Sequence, residues 1–197
     1  MLLKTLLLGA IATTAVASTA MADGHEGARA RDGEVKIIYW QAPSILNPYL
    51  SGGTKDIESS SLVIEPMGRY DQNGDLVAYL AAEIPTVGNG GVSEDLTSIT
   101  WKLKEGLKWS DGSDVTSADL VFTAKYCMHP EGGCAQLSKY DGVEKVEAID
   151  AMTTKITFNQ PKPNPYGPFM GGQSPIIQAT QFADCLGARA PECTEAN

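Results

Sequence analysis

The chain has 197 residues, with 15 Lys and Arg against 24 Asp and Glu, and a formal net charge of −9. That balance argues against nucleic acid or anionic lipid as the main partner, because both repel a net negative surface. Beyond its first 22 residues the chain keeps about 175, enough for one domain with a real core and a smaller subdomain attached.

In chain order, residues 1–22 read as a cleavable export signal. Lys4 supplies the positive start, an apolar stretch runs from Leu6 to Ala17, and Ala20-Met21-Ala22 fits a small-x-small cleavage site before Asp23. The apolar run is shorter than the ~20 residues of a spanning helix. No cysteine stands near the cleavage site, so a lipid anchor is not expected and the localisation implied is periplasmic. Residues 23–34 are polar and read as a flexible mature terminus. Their Asp23-Gly24-His25-Glu26 run has too few ligands for a firm metal site.

Residues 35–40, Val-Lys-Ile-Ile-Tyr-Trp, predict a mostly buried strand. Pro43 and Asn47-Pro48 break the chain, and Ser51-Gly52-Gly53-Thr54 makes a loop of small residues. Ile57, Ser60, Ile64 and Met67 then recur at helical spacing. Asp71-Gln72-Asn73-Gly74-Asp75 is a turn between two short extended segments. Ile99, Trp101 and Leu103 alternate with Thr100, Lys102 and Lys104, the pattern of a strand with one buried face. Ser110-Asp111-Gly112-Ser113 is a tight turn, and Thr116-Ser117-Ala118-Asp119 fits a capping box opening a helix that Pro130 ends. Val143 to Ile149 and Thr154 to Phe158 predict a hairpin, and Ser174 to Phe182 a short helix. The fold class is α+β, strands and helices intermingled.

Four cysteines, Cys127, Cys134, Cys185 and Cys193, allow three disulfide connectivities in an oxidising compartment. The short turn-rich loops between Cys127 and Cys134 and between Cys185 and Cys193 favour local pairs. Zinc is the rival reading with His129 in the first loop, but neither loop has C-x-x-C spacing, and no metal or cofactor is implied.

Little points to catalysis. His25 and His129 lack an obvious catalytic neighbour, no G-x-S-x-G, H-E-x-x-H or phosphate-binding loop motif occurs, and Glu94-Asp95 reads as a solvated pair. Trp101 and Trp109 read as core. Trp40, at a strand end before a loop, serves either the core or a ligand cleft.

The run Ile99-Thr100-Trp101-Lys102-Leu103-Lys104-Glu105-Gly106-Leu107-Lys108-Trp109, followed by Ser110-Asp111-Gly112-Ser113 and Ser117-Ala118-Asp119-Leu120-Val121-Phe122, closely resembles the signature of the extracellular solute-binding proteins of family 5. That group includes the oligopeptide, dipeptide and nickel receptors of ABC importers. Leu46-Asn47-Pro48, Glu65-Pro66-Met67, Asn73-Gly74 and Leu80-Ala81-Ala82 agree upstream, while Asp119 stands where two acids are common. The cysteine pair at 127 and 134 is not a general family feature and points to a subgroup.

The resemblance implies a two-lobed, class II periplasmic-binding-protein-like clamshell that traps a peptide or similar small solute and delivers it to membrane permease subunits, a monomer when full length. Residues 35–197 are then the N-terminal lobe with a small appended subdomain, and relatives continue past Asn197 into a second lobe. An oligosaccharide, an opine or a nickel chelate are other cargoes the resemblance allows, and a secreted single-lobe interaction module is a further reading. In peptide-binding relatives the stretch matching Ser51, Gly52, Gly53 and Thr54 pairs backbone to backbone with an extended ligand; small side chains let another main chain approach. Gln41 and Ser44, after the first strand, and Gln173 and Ser174, small or amide-bearing beside Gly171-Gly172, are further cleft candidates.

Overall fold

The structure is a computed structural model that describes residues 36–193. The expected signal peptide (1–22) and most of the terminus that follows lie outside the described residues. The chain divides into two units, residues 1–38 and 39–197. Of the first unit only Lys36, Ile37 and Ile38 are described, and they carry no regular element. The architecture below is that of the second.

Its centre is a three-stranded antiparallel sheet of order β3-β5-β4, with β3 at Ser98–Lys102, β4 at Val143–Ala148 and β5 at Thr153–Phe158. The expected hairpin forms β4 and β5, and β3 pairs with β5 so that Trp101 faces Thr154 and Ile99 faces Ile156. Alternation puts Ile99, Trp101, Thr154, Ile156 and Phe158 on the buried face and Lys102 outside. Helix α2 (Ser117–Met128) covers that face with Leu120, Thr123, Ala124 and Cys127, spaced at i, i+3, i+4 and i+7. The Thr116–Asp119 capping box opens it as the sequence predicts.

A second layer surrounds a two-stranded ribbon, β1 (Gly68–Tyr70) with β2 (Leu76–Ala78). Its turn is closed by Asp71 Oδ1, which accepts the N–H groups of Asn73 and Asp75 at 2.8 and 2.9 Å. The ribbon joins the main sheet through an antiparallel bridge between Ala81 and Leu103 and meets a late segment through a parallel bridge between Gly68 and Met170. Tyr49, Met67, Tyr140, Phe169, Met170 and Ile176 are buried in the same cluster as Trp101. Burial pushes the Tyr140 phenol up to about 12 and the Tyr49 phenol well above its usual value, so both stay neutral at physiological pH.

Cys127 is bonded to Cys134 and Cys185 to Cys193, with Cα–Cα distances of 5.1 and 5.5 Å. The two loops touch: a Cβ added at Gly187 (φ +65) would fall 2.7 Å from His129 Cε1, so the imidazole occupies the space a side chain would need.

Two expected elements do not form. Residues 36–40 are not a strand, and Ile38 and Trp40 are 98% and 72% exposed. Their apolar composition supplies propensity, but a strand is made by a partner with free N–H and C=O groups, and no strand among the described residues pairs with them. The short helix expected at 174–182 is replaced by irregular chain and turn. Pro175 has no N–H, Ile176 N–H donates to Glu65 C=O at 2.9 Å, Ile177 N–H to Thr123 Oγ1 at 3.0 Å and Ala179 N–H to Asp119 Oδ1 at 2.8 Å. Tertiary acceptors have taken the donors an i→i−4 ladder would use.

Trp101 is fully buried and Trp40 is not, and the two separate core from surface experimentally. Trp101→Ala is expected to lower the unfolding free energy by about 3–5 kcal/mol in urea denaturation. Trp40→Ala should change it by no more than about 0.5 kcal/mol.

Candidate functional site

The site begins at the chain break after Trp40. Helix α1 (Thr54–Ser60) spans only two turns, too short to hold itself, and its second helical residue beyond Thr54 is a buried aspartate. Asp56 Oδ1 accepts the Ser44 N–H at 2.6 Å and the Lys55 ammonium at 2.8 Å, and Oδ2 accepts the Ser51 hydroxyl at 2.7 Å. Lys55 Nζ also donates to Ser44 Oγ, and the Gly53 N–H donates to Ser51 Oγ at 3.0 Å. The Lys55 and Asp56 side chains are both largely withdrawn from solvent, at 13% and 4% exposure. The Lys55 ammonium, then the Ser51 hydroxyl and the Ser44 N–H, hold the Asp56 carboxyl well below the usual carboxylate range.

Ser44, Ser51 and Gly53 are thus brought together around one carboxylate, while Thr54, the first residue of α1, is exposed. Gly52 stands apart. It is exposed, a Cβ added there would meet nothing within 4 Å, and neither its N–H nor its C=O has a hydrogen-bond partner among the described residues. Trp40 and Gln41 are exposed, on the approach to Ser44. Gly172 packs against α1 and its C-cap, where an added Cβ would meet the Ser61 hydroxyl at 2.5 Å and Ile57 Cγ2 at 3.4 Å. Gln173 is exposed beside it. Ser174 is not at a cleft edge: it is fully buried and its Oγ accepts the Phe169 N–H at 2.9 Å, next to the Tyr49 hydroxyl at 3.4 Å. The requirement to satisfy a buried backbone donor places it in the core.

A groove of about 550 Å³ lies beyond the C-terminal end of α1. Leu62, Val63 and Ile64 form one wall, Leu107 and Trp109 another, and Ile176 and Phe182 a third, with Lys108, Gln178 and Gln181 as polar groups. Leu62 and Val63 are 60% and 72% exposed. Sequence reasoning missed this groove; the apolar triplet directly after a short helix was the available signal.

The Trp109 wall is fixed by the turn and helix start that carry the resemblance. Asp119 Oδ2 accepts the Thr116 N–H at 2.8 Å and the Trp109 Nε1–H at 3.3 Å. Gln178 Nε2 donates to Asp111 Oδ2 at 2.8 Å and Ser113 Oγ at 3.0 Å. Among the described residues no group of three or more His, Cys, Asp or Glu is placed to hold a metal ion.

The Asp56 network has a pH signature. Its folded-state pKa is depressed, so the folded protein binds fewer protons than the unfolded one. That stability is complete above the ordinary carboxylate value, near pH 4, and is lost as pH falls below it. Asp95, held at about 2 by the Ser93 hydroxyl and Thr97, acts in the same direction. Unfolding midpoints measured from pH 6 to pH 2 should be flat above about pH 4 and fall below it. In Asp56→Asn the midpoint should be lower at pH 6 and the acid-dependent fall smaller.

Comparison with known proteins follows the same lines. A sequence model described as bacterial extracellular solute-binding proteins, family 5 Middle, matches residues 75–190, more than half of the chain. The glutathione-binding protein GsiB of Escherichia coli K12 is 37% identical over 70 residues, 36% of this chain and 14% of that protein. The oligopeptide-binding protein AppA of Bacillus subtilis, solved with a nonapeptide, superposes with a TM-score of 0.65 at 18% identity, over 77% of this chain and 29% of that one. AgaA of A. tumefaciens R10, solved with agropinic acid, gives 0.64 at 24% identity, over 73% and 28%. The matched part is therefore under a third of the length of these relatives, and the structural likeness is one of fold. The mixed α/β fold is that of the substrate-binding proteins, and the strand, turn and helix around Trp101, Asp111 and Asp119 lie inside the matched residues. The chain belongs to the bacterial extracellular solute-binding proteins of family 5.

Proposed function

We propose that the chain is the solute-capturing component of an ABC importer, exported to the periplasm by a cleaved leader over 1–22, and that it binds peptides main chain to main chain at Gly52. The observation that supports this reading is that the Gly52 N–H and C=O stand in open space with no partner among the described residues. An extended peptide offers a matching C=O and N–H at every residue, and recognition through them does not depend on side chains. Trp40 and Gln41, exposed on the approach, supply apolar surface and an amide to the same ligand. A nonapeptide and agropinic acid, bound by relatives of the same fold, bracket the size of cargo. The bound solute passes to permease subunits in the membrane, and the protein acts without chemical turnover.

A second reading, a protein-interaction module, is favoured by the apolar groove at Leu62 and Val63. Calorimetric titration with di- to hexapeptides separates the two. Gly52→Val adds its side chain to empty space, where folding stability should change by no more than about 0.5 kcal/mol. It also blocks a second backbone, so peptide affinity should fall at least about tenfold, or ~1.4 kcal/mol. Unchanged peptide affinity in Gly52→Val would remove Gly52 from the site. Absence of peptide binding by the folded protein would favour the groove.

A further inference from the structure

Residues 47–51 lead into the Gly52 edge without helix or strand, so side chains and single backbone bonds from elsewhere must fix their position. Four of those bonds come from one short stretch. Tyr126 Oη accepts a hydrogen bond from Asn47 Nδ2 at 3.0 Å. The Ala135 N–H donates to the Tyr49 C=O at 2.8 Å. Gln136 Nε2 donates to the C=O groups of Pro48 at 3.2 Å and Ser51 at 3.0 Å. The Tyr49 and Tyr126 rings meet edge to face with centroids 6.0 Å apart.

These donors and acceptors sit on both sides of one covalent bond. Tyr126 immediately precedes Cys127, Ala135 immediately follows Cys134, and the two cysteines are joined. Between them runs a turn-rich loop of proline and glycine, which without the bond would let Ala135 and Gln136 swing away from the end of α2. Cys127 is fully buried at that helix end, and Gln136 is 7% exposed. Gln136 holds the main chain at the edge itself, since the carbonyl it binds belongs to Ser51, the residue adjoining Gly52, while Asp56 holds only the Ser51 hydroxyl.

We propose that the Cys127–Cys134 disulfide and Gln136 form a clasp that positions the Gly52 main chain, so that the clasp tunes ligand affinity without touching the ligand. The affinity half of this proposal rests on the Gly52 reading above; the positioning half does not. Gln136 and the cysteines are accordingly positioning residues, not ligand contacts.

The test uses two variants of the protein, Gln136→Met, which keeps length and removes both Nε2 bonds, and Cys127→Ala with Cys134→Ala. Amide hydrogen exchange without ligand should accelerate about tenfold or more at Leu50 and Gly53 in both variants, with the β3–β5 ladder unchanged. Uniform acceleration across the ladder would overturn the clasp in favour of a general staple, and no local change in Gln136→Met would overturn it outright. Calorimetry with trialanine should then show weaker binding in both variants. Wild-type protein that binds no peptide sinks the affinity half alone, and the exchange result still decides the positioning half. Local acceleration with unchanged trialanine affinity would show that the clasp does not reach the site.

Discussion

A carboxylate buried near the start of a two-turn helix has to find its donors outside that helix, and the rest of the candidate site follows from where Asp56 finds them. Its partners are a backbone N–H twelve residues upstream at Ser44, a hydroxyl at Ser51 and the ammonium of its own neighbour Lys55. A buried charge left unpaired is strongly unfavourable, so the loop before α1 has little choice but to fold over the carboxylate. Ser51 then uses its hydroxyl twice, donating to Asp56 and accepting from the Gly53 N–H. Gly52, between the two, has neither its N–H nor its C=O paired among the described residues. The open edge is a by-product of satisfying a charge.

A similar device shapes the Trp109 wall of the groove. Asp119 caps α2, holds the Trp109 indole and accepts the Ala179 N–H, while Gln178 grips the Asp111 turn. The segment by which the chain resembles its family is therefore a knot of mutually satisfied polar groups. Such a knot explains why the pattern identifies a fold so well and a cargo so poorly. Trp109 and Asp111 are spent on architecture, and the free polar groups lie elsewhere.

The sheet and α2 were legible because they are local: Ile99 to Leu103 alternate, Thr116 and Asp119 form a cap, and the 143–158 hairpin is written in its own residues. The 35–40 and 174–182 segments were misread for one shared reason. Their secondary structure depends on what their backbone groups meet in space, and at Ile176, Ile177 and Ala179 the partners are Glu65, Thr123 and Asp119. Site residues divide the same way. The small-residue stretch at Ser51 to Thr54 stands out in sequence, whereas Asp56, Asn47 and Gln136 are ordinary polar residues until long-range contacts give them something to hold. Ser174 looked like a cleft-edge serine because nothing local reveals the Phe169 N–H it satisfies.

The central claim is that ligand meets the main chain at Gly52. Peptide titrated into isotopically labelled protein, followed by amide chemical shifts, tests it without altering a residue. The largest shifts should fall on the amides of Gly52 and Gly53, with smaller ones at Trp40 and Gln41 and little at Leu62, Val63 or Phe182. Shifts centred on the groove residues, with Gly52 unmoved, would contradict the account and transfer the site to the apolar wall.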